Sequence, residues 1–448
     1  MKRVLLSLLI LTSLAAAEPV VAPLTLDEAV ALAVKQSKGA QLSQLKIDEA
    51  AAGTDAARRL RYPQIHGSAL GVYLFHPLDL KISQGSLSPA LEQAGYGSLL
   101  STTGPFPAGD ITLVQGSRTP VAGSLTVTQP LSQLWRIDSG VRAAKAGQAE
   151  AQREAARTTA QIRFSVEELF IGSLLEELRH AEYAARLAYQ ERQLYDAENA
   201  HRVGELLDES VLGLRAAVIQ ARSDVLRSDQ QRARLSLQLA DLIGRPGTDR
   251  LVLASALPER PPHPVDYWVA GASHNPDRQI AAATVEKAAA GVRAARQAHI
   301  PDLSLFATGY AQDGIPLVPN NSGAVGLSLS WDIFDFGRRD AEIARAVARK
   351  RSAEVNRDRI EEDSTRQIRL VYQDYTYAGE LTMLAQQAVE YRRRAAELAR
   401  QSTANGLALE SKALNAEAEL RKAEADLAAT RYQQHLALLR LNFLAGEL

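Results

Sequence analysis

The chain has 448 residues, of which 46% are hydrophobic, 23% charged and only 5% aromatic, so it orders a large structure with few bulky core fillers and a conventional compact globule is not expected. Lys and Arg number 51 against 52 Asp and Glu, a balance that provides no general field for gathering nucleic acid or anionic substrates. Cysteine is absent, which excludes disulfides, thiolate metal sites, cysteine nucleophiles and lipid attachment through a cysteine.

Lys2 and Arg3 precede an apolar run from Val4 to Leu14 and then Ala15-Ala16-Ala17, the layout of a cleaved secretory signal over residues 1–17. The run is shorter than the ~20 residues a helix needs to span a bilayer, and no later stretch is long or apolar enough. The remainder reads as two copies of one plan, residues 18–245 and 265–448, joined by a Pro-rich linker at 246–264. Ala50-Ala51-Ala52-Gly53, Ala56-Ala57-Arg58 and Pro63 recur 238 positions later as Ala288-Ala289-Ala290-Gly291, Ala294-Ala295-Arg296 and Pro301. Further on, Gly204, Leu207, Leu212 and Leu242-Ile243-Gly244 recur 202 positions later as Gly406, Leu409, Leu414 and Leu444-Ala445-Gly446. The shorter offset implies an insertion in the first copy between Pro63 and Val127.

Each copy opens with an Ala-rich helix, Leu26 to Arg61 and Tyr267 to Ala298, ending just before Pro63 or Pro301. Two strands follow: Gln64 to Phe75 and Ala122 to Pro130, then Asp302 to Tyr310 and Ala324 to Asp332. In Val325-Gly326-Leu327-Ser328-Leu329-Ser330-Trp331 every second residue is apolar. The first pair encloses residues 76–121, rich in Gly, Ser and Pro, which predict a surface loop; its counterpart, 311–323, is much shorter. Then come proline-free tracts, Arg136 to His201 and Arg338 to Thr403, each predicting a helix close to 100 Å long at 1.5 Å per residue. Gly204 and Gly406 interrupt them as tips of helical hairpins, and a helix of about 35 residues follows each. The helices are amphipathic and rich in Ala, which suits a curved wall of coiled coils with one wet side.

Strands of nine to eleven residues with alternating character are long enough to cross a membrane when tilted. Four strands cannot close a barrel, and an open edge in lipid leaves backbone groups unsatisfied at several kcal/mol each. Several copies must therefore pool their strands in a symmetric ring. The competing reading is a four-stranded soluble sheet attached to coiled coils.

The arrangement resembles the TolC-like outer-membrane efflux proteins, or outer membrane factors, across essentially the whole mature chain. The residues that carry the resemblance are Leu24-Thr25-Leu26-Asp27-Glu28-Ala29 opening the first helix, the Pro-led strands, and Trp331-Asp332-Ile333-Phe334-Asp335-Phe336-Gly337-Arg338-Arg339, similar to the family's strand-to-helix signature. The equivalent Gln129-Pro130-Leu131 keeps the start, but Trp135 replaces the glycine. A Val-Gly-centred helix tip is present as Arg202-Val203-Gly204-Glu205-Leu206-Leu207 and recurs as Ala404-Asn405-Gly406-Leu407-Ala408-Leu409. The resemblance implies an all-α coiled-coil barrel continued by a transmembrane β-barrel, with two repeats and four strands per protomer, and a homotrimer sharing twelve strands in the outer membrane and a long periplasmic α-barrel. It also implies a passive exit duct for efflux or type I secretion, engaged at its tips by a periplasmic adaptor (membrane fusion) protein and an inner-membrane pump.

The candidate docking and tip residues are Gly204, Leu207, Asp208, Glu209, Gly406, Leu409, Glu410, Lys412 and Asn415; each Leu could equally be buried within its hairpin. Where well-studied members place aspartates after the second tip glycine, this chain has Lys412 and Asn415, so an acidic ring is not expected there. Asp208, Glu209 and Glu410 could supply negative charge instead, although acids also favour the first turn of a helix. At the strand-to-helix junctions the candidates are Trp135, Trp331, Asp335 and Gly337, the tryptophans as membrane-interface anchors or as core. Nothing predicts catalysis or a cofactor. The eight histidines are scattered without HExxH, so no metal is expected, and Asp335-Phe336-Gly337 copies a kinase magnesium motif without its phosphate loop. The rival of another class is a soluble periplasmic coiled-coil adaptor.

Overall fold

The computed structural model describes residues 23–245, 251–254 and 262–448. The expected signal and most of the expected linker lie outside them. In chain order the elements are α1 (Leu26–Gln36), α2 (Lys38–Arg59), β1 (Gln64–Gly71), β2 (Leu80–Ile82), α3 (Ser88–Leu91), α4 (Gly97–Thr103), β3 (Ile111–Val114), β4 (Val121–Pro130), α5 (Leu134–Arg202), α6 (Asp208–Leu242), α7 (Val265–Gly271), α8 (Pro276–Gln297), β5 (Asp302–Asp313), β6 (Asn321–Ser330), α9 (Arg338–Ala404) and α10 (Glu410–Ala445). They fall into a helical unit, residues up to 46 with 152–280 and 358–448, and a strand unit, 47–151 with 281–357.

The opening helix of each half is broken, which the expectation of one continuous helix missed. Thr25 and Glu28 form a reciprocal capping box at the start of α1. Ser37 then turns extended, and its Oγ accepts from the Ala40 N–H at 3.2 Å to start α2. In the second half Asn275 does the same: its Oδ1 accepts from the Asp277 N–H at 2.7 Å and its Nδ2 donates to the Leu444 carbonyl at 2.9 Å. Ser and Asn compete well for a backbone donor at a helix start, which is why the break falls on these residues.

In the helical unit, Leu26, Ala29 and Ala33 of α1 pack with Val166 and Phe170 of α5 and with Leu239 and the adjoining Ile243 at the end of α6. The second cluster joins Trp268 of α7 to Ile368 of α9 and to Leu441 and Ala445 of α10. Ile368, Leu441 and Ala445 stand 202 positions after Val166, Leu239 and Ile243, and all six are fully buried. Where the first cluster has Ile243, the second has the smaller Ala445, and there the large, buried Trp268 is a member of the cluster. The described linker residues hold to the first cluster: the Leu24 N–H donates to the Val252 carbonyl and the Ala254 N–H to the Leu24 carbonyl.

Contacts fix the side-by-side order of the long helices in this unit as α6, α5, α10, α9. Ser228 donates to the buried Glu176 carboxylate at 2.8 Å and Arg222 pairs with Glu191, joining α6 to α5. His435 lies 3.7 Å from Glu167, joining α10 to α5. Arg392 pairs with Glu419 and Arg400 with Glu417, joining α9 to α10. Thus α6 and α9 are the edge helices. Each edge carries an exposed apolar stripe at seven-residue spacing: Leu212, Ile219 and Leu226 on α6, and Leu370, Tyr377, Leu384, Tyr391 and Leu398 on α9. A heptad repeat is what a second helix needs in order to pack along them.

In the strand unit, β1, β4, β5 and β6 form one antiparallel sheet in that order. Ile65 pairs with Val127 in the first hairpin and Leu303 with Leu329 in the second, the same register at the two offsets. Strand β1 stops at Gly71 rather than Phe75, although Val72 and Leu74 still donate to Pro120 and Arg118 across the hairpin. Strand β5 runs on to Asp313, and the buried Gln312 amide organises the turn beyond it by donating to the Val318 carbonyl and accepting from the Ile315 N–H. Residues 76–121 are not a plain loop: they hold the β2–β3 ladder and two short helices, with Asp110 accepting from the Gln84 N–H and Asp79 from the Gly116 N–H.

Candidate functional site

The two hairpin tips, both in the helical unit, are built alike. Gly204 has φ +81 and Gly406 φ +71, the left-handed geometry that ends a helix at small cost only for a residue without Cβ. Beyond them the Glu205 N–H donates to the Ala200 carbonyl, and the Leu407 N–H to the Ser402 carbonyl. Leu207 and Leu409 are extended and start α6 and α10. Both point into solvent, 75% and 66% exposed, so neither is buried within its own hairpin. In the first tip the His201 ring reaches the Leu206 carbonyl at 2.8 Å through Nδ1 and Asp208 at 3.1 Å through Nε2.

Asp208, Glu209 and Glu410 occupy the first turns of α6 and α10, where free N–H groups favour negative charge. Glu410 is already matched: Arg192 of α5 pairs with it at 2.8 Å, bonds Asp196 at 3.1 Å and lies 4.9 Å from the Tyr195 ring centre. Sequence reading missed Arg192, Tyr195 and Asp196; their i, i+3, i+4 spacing, which puts them on one face of α5, was the available signal. Lys412 and Asn415 are exposed on α10. The two tips are not level. Arg192 lies ten residues before the end of α5 yet meets the first residue of α10, so the Gly204 tip projects about 15 Å beyond the Gly406 tip along the helices.

In the strand unit the pairing registers sort the sheet into two unlike faces. One carries the row Ile65, Val127, Ala307 and Val325 and, beside it, Leu305 with Leu327 and Leu303 with Leu329. The other carries His66, Thr126, Thr308 and Ala324, then Ser68, Ser124, Tyr310 and Ser322. On that polar face Ser68 bonds Ser124 at 2.8 Å and Thr126 bonds Thr308 at 2.9 Å. The apolar face is exposed within one chain, Val325 being 77% exposed, and among the described residues the outer edges of β1 and β6 have no partner strand in the sheet.

At the β6–α9 turn the Asp335 carboxylate accepts from both the N–H and the Nε–H of Arg339. Desolvation pushes its carboxyl up, but these bonds outweigh that and hold it below the usual range. Phe336 at φ +52 and Gly337 at φ +80 reverse the chain into α9. The first repeat needs no such glycine because α5 starts earlier, at Leu134, so Trp135 is already helical. Ser132 secures that junction, donating to the Pro301 carbonyl and accepting from the Leu303 N–H. Trp135 and Trp331 are both exposed rather than packed in a core. Among the described residues no group of three or more His, Asp or Glu is placed to hold a metal ion, and no helix is long and apolar enough to cross a membrane.

Residues 272–447 match the Outer membrane efflux protein family. The resemblance to outer membrane efflux proteins also has a curated relative behind it: the alkaline protease secretion protein AprF of Pseudomonas aeruginosa is 27% identical over 298 residues, 63% of this chain and 60% of AprF. The fold is that of solved outer membrane channels. VceC of Vibrio cholerae superposes with a TM-score of 0.71 at 18% identity over 94% of this chain and 96% of its own. CmeC of Campylobacter jejuni gives 0.75 at 14% identity over 94% and 85%, and the open state of MtrE of Neisseria gonorrhoeae 0.70 at 17% over 94% and 88%.

Proposed function

We propose that three copies of this chain form an exit duct of the outer membrane, a twelve-stranded barrel continued by a long periplasmic α-barrel, through which cargo of an efflux or type I secretion system passes passively. Two repeats, residues 18–245 and 265–448, supply equal parts, a division supported by the shared hairpin register and the paired cores. The observation that carries the reading is the open four-stranded sheet with one apolar face, one Ser/Thr-rich face and two unpaired edges. Hydrocarbon accepts such a sheet only when sister copies close the edges, and closure leaves the apolar face to lipid and the polar face to water. A soluble periplasmic adaptor would have no use for that apolar face.

The edge helices favour the same assembly. The α6 stripe of one copy and the α9 stripe of the next are complementary seams, a heterologous contact that closes into a ring. The tips, with Leu207, Leu409, Asp208, Glu209, Lys412 and Asn415 exposed, form the docking site for a periplasmic adaptor, which couples the duct to an inner-membrane pump. Opening is dilation at those tips, and the pump provides the energy. The chain has no cysteine of its own, so the ring can be tested cleanly. Leu226→Cys combined with Tyr391→Cys or Leu398→Cys is expected to yield covalent trimers in the outer-membrane fraction on mild oxidation, whereas the single variants should stay monomeric on denaturing gels. Monomers only, from every pair, would refute the ring.

A further inference from the structure

Among the described residues only Leu317 and Phe336 lack the freedom of glycine yet hold a left-handed backbone, at φ +64 and φ +52. Both are apolar and both face solvent, Phe336 being 93% exposed. A bulky side chain in that region of φ and ψ is a strain that the surrounding structure must impose for a reason. Here the reason cannot be packing within the protomer, because the side chain touches so little of it. The Asp335–Arg339 pair fixes the turn and leaves Phe334 and Phe336 outside it, their rings 4.7 Å apart and edge to face, with Ile333 exposed beside them.

We propose that Ile333, Phe334 and Phe336 form a lipid-interface anchor, seated at the boundary between headgroups and acyl chains, that sets the depth of the sheet in the membrane. The inference rests on the membrane reading above. Three observations favour lipid over another protein. Trp331 follows Leu329 in the strand alternation, so the cluster continues the apolar face of β6 beyond its end. Leu317, the other strained apolar residue, stands at the opposite end of the same strand, and the edge-to-face pair of Tyr73 and Phe75 lies exposed where β1 ends. The ten residues of β6 between these two apolar rims span about 34 Å along the strand, or about 24 Å across a membrane at a tilt near 45°, which matches the apolar band of an outer-membrane barrel.

The test uses the full chain with Trp135→Phe and Trp331→Phe, leaving buried Trp268 as an internal reference, in phosphatidylcholine vesicles brominated near the carbonyl or near the chain end. Phe334→Trp is expected to be quenched about twofold more by the shallow bromines, and Val325→Trp more by the deep ones. If Val325→Trp is quenched and Phe334→Trp is not, the cluster is covered by a sister copy and the anchor is wrong while the membrane reading stands. If neither is quenched, the membrane reading itself fails. Phe336→Gly separates anchoring from packing, because it removes both the side chain and the strain. Its melting temperature in detergent should hold or rise, while recovery in vesicles at limiting lipid falls about tenfold. A lower melting temperature would place Phe336 in a protein contact and overturn the proposal.

Discussion

Glu182 sits on α5 facing α10, with Asp426 and Lys422 across the seam and Arg179 and Arg186 on its own helix. Burial pushes its carboxyl above the ordinary range and Asp426 adds to the effect, while the three cations only partly offset it. A raised carboxyl means that the folded chain holds the proton more tightly than the unfolded chain. Stability from this position is therefore greatest below the unfolded value and declines as pH rises through the folded one. Glu182→Gln should remove that decline. At neutral pH the variant is expected to be more stable by no more than about 1 kcal/mol, discounted for partial exposure, and near pH ~4 to match the parent. Denaturant titrations at the two values check it, and an unchanged gap between them would show that Glu182 is ionised at little cost. The raised value was not legible beforehand, because the two partners across the seam, Asp426 and Lys422, lie more than two hundred residues away.

At the scale of elements, the long helices were legible to within two residues: α5 and α9 run Leu134–Arg202 and Arg338–Ala404 against expected spans of Arg136–His201 and Arg338–Thr403. Proline-free, Ala-rich sequence leaves the backbone no competitor to the helix, and a left-handed glycine stops it. The tips were readable for that reason, whereas the sequence showed Arg192 only beside Tyr195 and Asp196 on one face of α5 and not its pairing with Glu410, which belongs to the other hairpin. The breaks at Ser37 and Asn275 were hidden because a single capping side chain outweighs the propensity of the whole tract; Asn275-Pro276 was the visible hint. The ladder within 76–121 was hidden because Gly, Ser and Pro mark turns without saying that short strands lie between them. The joints also differ in what they hold. Ser37→Ala loses one capping bond and should cost about 1 kcal/mol. Asn275→Ala loses a cap and leaves the Leu444 carbonyl unpaired in a buried site, so about 2–3 kcal/mol is expected from equilibrium unfolding in detergent. Equal losses would mean that the Leu444 carbonyl finds another donor.

For the whole molecule, the sheet is where sequence and assembly meet, because the proposed barrel puts adjacent residues of one strand in different solvents. Val325 lies on the row of Ile65, Val127 and Ala307, and Ala324 on the row of His66, Thr126 and Thr308, both near the middle of β6. Within one chain both are exposed, so a soluble sheet would accept arginine at either with little difference. In a shared barrel the two sites separate. Arginine at 325 must enter hydrocarbon near the midplane, at about 2–4 kcal/mol per copy, whereas at 324 it reaches the water of the lumen. Val325→Arg is therefore expected to fold into vesicles with an equilibrium constant lower by about two orders of magnitude per subunit, and Ala324→Arg to stay within a few-fold of the parent. Protease protection of the strand unit in reconstituted vesicles reads both. Equal behaviour would assign the two faces to the same solvent, and the reversed order would turn the barrel inside out; either result removes the physical reason for three chains to close around a common pore.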